Sequence, residues 1–235
     1  MDRFYSSAVW SPRRQTPLEC AQSIVTCLRS IPRLPDYFSN WRIVPEDLAG
    51  PDSLLPPPDD VEMLADYVES TALRNDRGEI MQGGGFSPRF MRLYGEHPIR
   101  LSPRCGVESR RGNNCLLEFP HPDWAPPETI THDIIRQSLR AVVTAWSADY
   151  AYVITHPFYD AQGMSARAAR RGERPVGWLT FVSNDVDLDR TALDGLARVD
   201  ETADGVWIEL HGTPAEPLLD DALTVRRALG YSVSP

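Results

Sequence analysis

Asp185, Asp187 and Asp189 alternate along the chain as the first ligands of a calcium loop do. Such a loop also needs glycine at its sixth position and glutamate at its twelfth. Those positions hold Arg190 and Leu196, so calcium binding is not expected. Two readings of the aspartates remain. An extended segment would turn them toward a partner, or Asp187 or Asp189 caps a helix that begins near Thr191. The five histidines, His97, His121, His132, His156 and His211, lack the close spacing of a helical metal pair. Cys20, Cys27, Cys105 and Cys115 form no C-x-x-C and no zinc spacing with histidine. They read as buried thiols, and a Cys105–Cys115 bridge does not suit a reducing compartment. There is no G-x-S-x-G elbow for a serine nucleophile. Gly83-Gly84-Gly85 is no phosphate loop, because the chain contains no lysine and position 88 is proline. It reads as a flexible turn. The missing lysine also argues against a nuclease of the restriction type. No catalytic residue, metal or cofactor is predicted.

The elements that must position these residues are legible from periodicity and punctuation. Residues 4–10 alternate weakly, as a short strand does. Thr16-Pro17 opens a helix, with Leu18, Cys20, Ile24, Cys27, Leu28 and Ile31 at helical spacing. Asp59 or Asp60 caps a second helix that runs to about Leu73. Strand-like stretches near Arg89–Tyr94, Ile99–Arg104 and Leu116–Phe119, joined by Gly- and Asn-rich turns, predict an antiparallel meander. Pro126-Pro127-Glu128 leads the longest helix, striped by Ile130, Ile134, Ile135, Leu139, Val142, Val143 and Trp146. Strands follow at Tyr150–Thr155, 175–182 and 205–210. Pro217 leads a last helix that stops at Gly230. The order lacks a regular βαβ alternation. It predicts an α+β fold with antiparallel sheet packed against about four helices, one domain over 1–235 with a possible subdivision near 120–127. Trp41, Trp146, Trp178 and Trp207 lie in apolar patterns and read as core. Trp10 and Trp124 sit near proline and charge and are candidates for exposed contacts.

Charge is segregated. The net charge is −9. Residues 46–79 hold 10 acids and 2 arginines, and residues 185–221 hold 11 acids and 2 arginines. Such a chain repels nucleic acid and attracts a basic partner. Asp59 and Asp60 in the first segment, and Asp185, Asp187, Asp189, Asp220 and Asp221 in the second, are the candidate partner contacts. The alternative reading is of solvated faces that keep the chain soluble. Met1-Asp2-Arg3-Phe4-Tyr5 does not open as a secretory signal does. No run approaches the ~18 apolar residues of a membrane span. A cytoplasmic protein without membrane contact is expected.

The stretch Ala145-Trp146-Ser147-Ala148-Asp149-Tyr150-Ala151-Tyr152-Val153, followed by Pro175-Val176-Gly177-Trp178-Leu179-Thr180-Phe181, resembles the immunity protein 52 family. The likeness spans the C-terminal half, with the Phe38…Trp41 pair compatible ahead of it. It marks Trp41, Trp146, Gly177 and Trp178 as family-like positions that serve the fold, and it supplies no catalytic residue. The resemblance implies an antitoxin that binds a cognate secreted toxin, for this family a restriction-endonuclease-like nuclease with a basic cleft. Contact at the toxin's active site or away from it are both consistent with that. Two other classes stay open: a hydrolase that gathers His156, Asp160 or His211 with a carboxylate, and an adaptor of a secretion system.

Overall fold

The computed structural model describes residues 3–33, 38–45, 53–58, 60–94, 97–109, 112–121, 123 and 130–233. Its frame is one antiparallel sheet of nine strands. They are β1 Phe4–Trp10, β2 Arg42–Ile43, β3 Phe90–Tyr94, β4 His97–Arg104, β5 Asn113–Glu118, β6 Tyr150–Thr155, β7 Leu179–Ser183, β8 Arg198–Glu201 and β9 Gly205–Glu209. Their order across the sheet is β2-β3-β4-β5-β1-β6-β7-β9-β8. The N-terminal strand is therefore central, with Ser6 opposite Leu117 on one side and Val153 on the other. The α+β class and the antiparallel meander stand as the sequence predicts.

Three helices cover one face: α1 Pro17–Ser30, α2 Val61–Ser70 and α3 His132–Trp146. Each begins where a side chain satisfies the free backbone N–H groups of a first turn. Thr16 and Glu19 form a reciprocal capping box on α1. Asp60 accepts from the N–H groups of Glu62 and Met63 on α2. Thr131 accepts from the Ile134 N–H on α3 at 3.3 Å. Thr131 is extended, so α3 starts later than Pro126-Pro127-Glu128 suggests. Residues 124–129 themselves lie outside the described residues, as do most of 120–127, the region of the possible subdivision. The helices bury Ile24, Leu64, Val68, Leu139, Val142 and Trp146 against Leu101, Leu117 and Ala151 of the sheet.

A second core lies on the other face, centred on β6, β7 and β9, with Tyr5 and Val9 of β1 and Val199 of β8 packed at its margin. There Tyr152, Ile154, Val206 and Ile208 meet Phe158 of α4 His156–Ala161, and Ala222 and Val225 of α6 Leu219–Ala228. A short helix α5, Ala166–Arg170, and a 3-10 turn, Arg190–Leu193, complete the elements. This second core draws none of its residues from β3, β4 or β5. Their second face presents Met91, Arg100, Ser102, Arg104, Asn114, Leu116 and Glu118, all partly or fully exposed.

Two expected elements are shorter than their sequence patterns. The second helix ends at Ser70 and not at Leu73, because Ala72 and Arg74 bridge to Phe86 and Ile80 in a narrow hairpin. The strand expected over 175–182 begins at Leu179. Val176 instead makes both its backbone hydrogen bonds to the side-chain amide of buried Gln162, at 2.9 and 2.7 Å.

Candidate functional site

The aspartates singled out from the sequence divide by what they already bind. Asp189 caps the 3-10 turn, accepting from the Thr191 N–H at 3.1 Å and from its hydroxyl at 2.7 Å. Its own N–H donates to the Ala228 carbonyl of α6 at 2.9 Å. The Thr191 hydroxyl, then its N–H, hold the Asp189 carboxyl below its ordinary range. Asp221 receives the His211 N–H and lies 2.8 Å from His211 Nδ1, tying the turn at 211–217 to α6. Asp60 is the cap of α2, and Asp59 lies outside the described residues. Asp60, Asp189 and Asp221 thus serve the local fold.

Asp185, Asp187 and Asp220 are exposed, and none makes an ion pair among the described residues. Asp185 and Asp187 lie between β7 and the 3-10 turn, and Asp220 in the first turn of α6. The 3-10 turn and α6 share the second core, and the Asp189 to Ala228 bond joins their ends. Two nearby cations are already paired. Arg190 holds Glu201 at 3.1 Å and Arg198 holds Asp200 at 2.7 Å. The acids left over lie along α6, on the face of the second core, Asp185 and Asp187 toward its C-terminal end and Asp220 at its N-terminal end. Asp60 does not join them, because α2 packs in the core on the opposite face. Sequence reasoning missed these pairings, which depend on β8 lying against β9.

The family-like positions are structural. An added Cβ at Gly177 would lie 2.1 Å from the Val153 carbonyl oxygen, so only glycine allows the close approach to β6. The Gly177 N–H donates to Thr180 Oγ1 at 3.0 Å, and the Thr180 hydroxyl donates to the Gly177 carbonyl at 3.2 Å. The Gly-Trp-Leu-Thr sequence is thereby a closed turn into β7. Trp178 is buried with His132 at 4.7 Å and the Arg136 guanidinium at 5.5 Å from its ring. Arg136 is fixed in turn by Glu209 at 2.5 and 3.0 Å. Trp41 donates its indole N–H to the Phe38 carbonyl. Trp146 stacks on Trp10 at 5.6 Å. Trp10 is only 3% exposed. The expectation of an exposed contact is wrong there, since its strand runs through the sheet centre. Trp124 lies outside the described residues.

All four cysteines are buried free thiols. Burial pushes Cys27 well up, and a hydrogen bond with Cys20, then burial, does the same to Cys105. The glycine triplet is not a flexible turn. Gly85 has φ 73°, a Cβ there would lie 2.4 Å from the Cys105 carbonyl oxygen, and Phe86 exchanges both backbone bonds with Cys105. Of the residues a hydrolase would use, His211 meets a carboxylate, Asp221, while His156 packs on Tyr5 at 4.8 Å. Among the described residues no three His, Cys, Asp or Glu gather as a metal site. No described helix is long and apolar enough to cross a membrane.

The fold is that of a mixed α+β protein built on one antiparallel sheet. The family model for immunity protein 52 matches residues 2–188, and the chain belongs to that family. No curated protein matches the sequence. Among solved structures, the Pseudomonas aeruginosa T6SS protein PA0821 shares the fold at a TM-score of 0.51 and 12% identity, over 97% of this chain and 72% of that one.

Proposed function

We propose that this protein is an antitoxin that binds a cognate secreted toxin in the cytoplasm and blocks it stoichiometrically, without a chemical step or cofactor. Membership of an immunity-protein family over residues 2–188 carries this reading. The likeness to a T6SS protein is in keeping with it. The toxin is a nuclease of the restriction-endonuclease-like type. A nuclease presents a basic cleft to phosphate, and an acidic surface can occupy such a cleft and associate quickly. The acids available for that contact are Asp185, Asp187 and Asp220.

The test is co-expression with the product of the adjacent gene, scoring host survival and then copurification. Rescue with a stable complex supports the reading. A non-toxic neighbour that forms no complex would sink it. In a purified pair, Asp185→Arg/Asp187→Arg/Asp220→Arg should slow association on the order of tenfold at low salt and flatten its salt dependence. The fold should be unaffected, because these three side chains hold no described contact.

A further inference from the structure

A groove of about 650 Å³ lies beside the uncovered half of the sheet. One wall is the end of α2 and the first arm of the hairpin, with Ser70 and Arg74. The other is the segment entering β3, with Arg89. The floor is the open face of β4 and β5, with Ser102, Arg104 and Asn114. None of its lining residues is acidic. Two more arginines, Arg42 and Arg100, stand on the same open face, each opposite Met91 in the strand register.

This basic patch is unusual for the chain that bears it. There are 33 acids for 24 arginines, so carboxylates are in excess. Several arginines elsewhere find them: Arg136 with Glu209, Arg190 with Glu201, Arg198 with Asp200, and Arg226 with buried Glu173. Arg42, Arg74, Arg89, Arg100 and Arg104 make no ion pair among the described residues. The groove is also firmly built. The Tyr67 hydroxyl donates to the Arg89 carbonyl at 3.1 Å and accepts the Arg89 N–H at 3.0 Å, locking α2 to the start of β3. Thr71 Oγ1 accepts the Ser87 N–H at 3.2 Å. A site ordered in advance loses less entropy on binding.

We propose that this groove seats an extended, carboxylate-rich segment of a protein partner. Guanidinium forks pair with carboxylates through two parallel hydrogen bonds. The Ser87 and Ser102 hydroxyls and the Asn114 amide supply neutral donors between the arginines. Nucleic acid fits less well. Tyr67 is the one aromatic residue in the lining, so the groove lacks the succession of stacking platforms that a single strand uses. The inference does not depend on the partner being the toxin.

The experiment uses the full chain and fluorescein-labelled hexaglutamate, followed by fluorescence anisotropy at low and at physiological salt. Labelled hexathymidylate serves as the competing probe. The wild type should bind the peptide at low salt and bind it more tightly than the oligonucleotide. Arg89→Glu/Arg104→Glu should weaken peptide binding about tenfold or more. Arg89→Lys/Arg104→Lys, which keeps the charge and secures a folded comparison, should lose less. Arg29→Glu/Arg170→Glu, an equal change of net charge on exposed residues outside the groove, should bind as the wild type does. The proposal is overturned if the wild type does not bind the peptide, if both Glu pairs lose binding equally, or if the oligonucleotide binds more tightly.

Discussion

Gly177 governs how β7 reaches β6. A methyl group there meets the Val153 carbonyl oxygen at 2.1 Å, and backbone in a sheet centre cannot yield. Gly177→Ala should destabilise the protein by about 2–4 kcal/mol, at or above ordinary core overpacking, in urea unfolding. An unchanged midpoint would show that the turn relaxes freely. Two capping carboxylates make stability depend on acid. The Thr16 N–H, then its hydroxyl, lower Glu19, and the Thr191 hydroxyl lowers Asp189. A carboxyl lowered in the folded state stabilises above its unfolded pKa and loses that contribution as pH falls through the folded value. The melting temperature should hold above about pH 5 and fall below about pH 4. In Glu19→Gln/Asp189→Asn that fall should be shallower, and an identical pH profile would refute the assignment. Which aspartates cap was only half legible. Asp60 and Asp189 announce themselves by local spacing, whereas Asp221 meets His211 ten residues away, across a turn.

At the scale of elements, position in the sheet decides stability. β1 and β6 are paired on both sides and buried, while β2 and β8 lie at the edges. Amides of β1 and β6 should exchange with solvent only through global opening, and those of β8 about tenfold faster or more. Equal protection across the sheet would mean that the edges are covered in solution. Helices α1 and α3, the meander and β6 were readable because their apolar period matches one buried face. β8 was not, since Arg198-Val199-Asp200-Glu201 has hardly any apolar pattern and is a strand only because β9 lies beside it. α4 was hidden for another reason. It follows β6 without a linker and is only six residues long, too short for an apolar period to show.

For the whole molecule, the two halves of the sheet differ in charge. Unpaired arginines gather over β2 to β4, and unpaired aspartates along α6. The central place of β1 also bears on domain structure. It joins β5 to β6, and Trp10 at its end stacks on Trp146 of α3. Unfolding should therefore be one transition, coincident by tryptophan fluorescence and far-UV circular dichroism. Two separated transitions would establish a subdivision. The sequence by itself determined the α+β class, most helices and strands, the buried tryptophans and the segregation of charge, because each depends on composition or on spacing along the chain. Only the tertiary structure decided the strand order, which aspartates are consumed by the fold, and that arginines from three separate segments line one groove. Those outcomes depend on contacts between residues distant in sequence, and no local pattern encodes them.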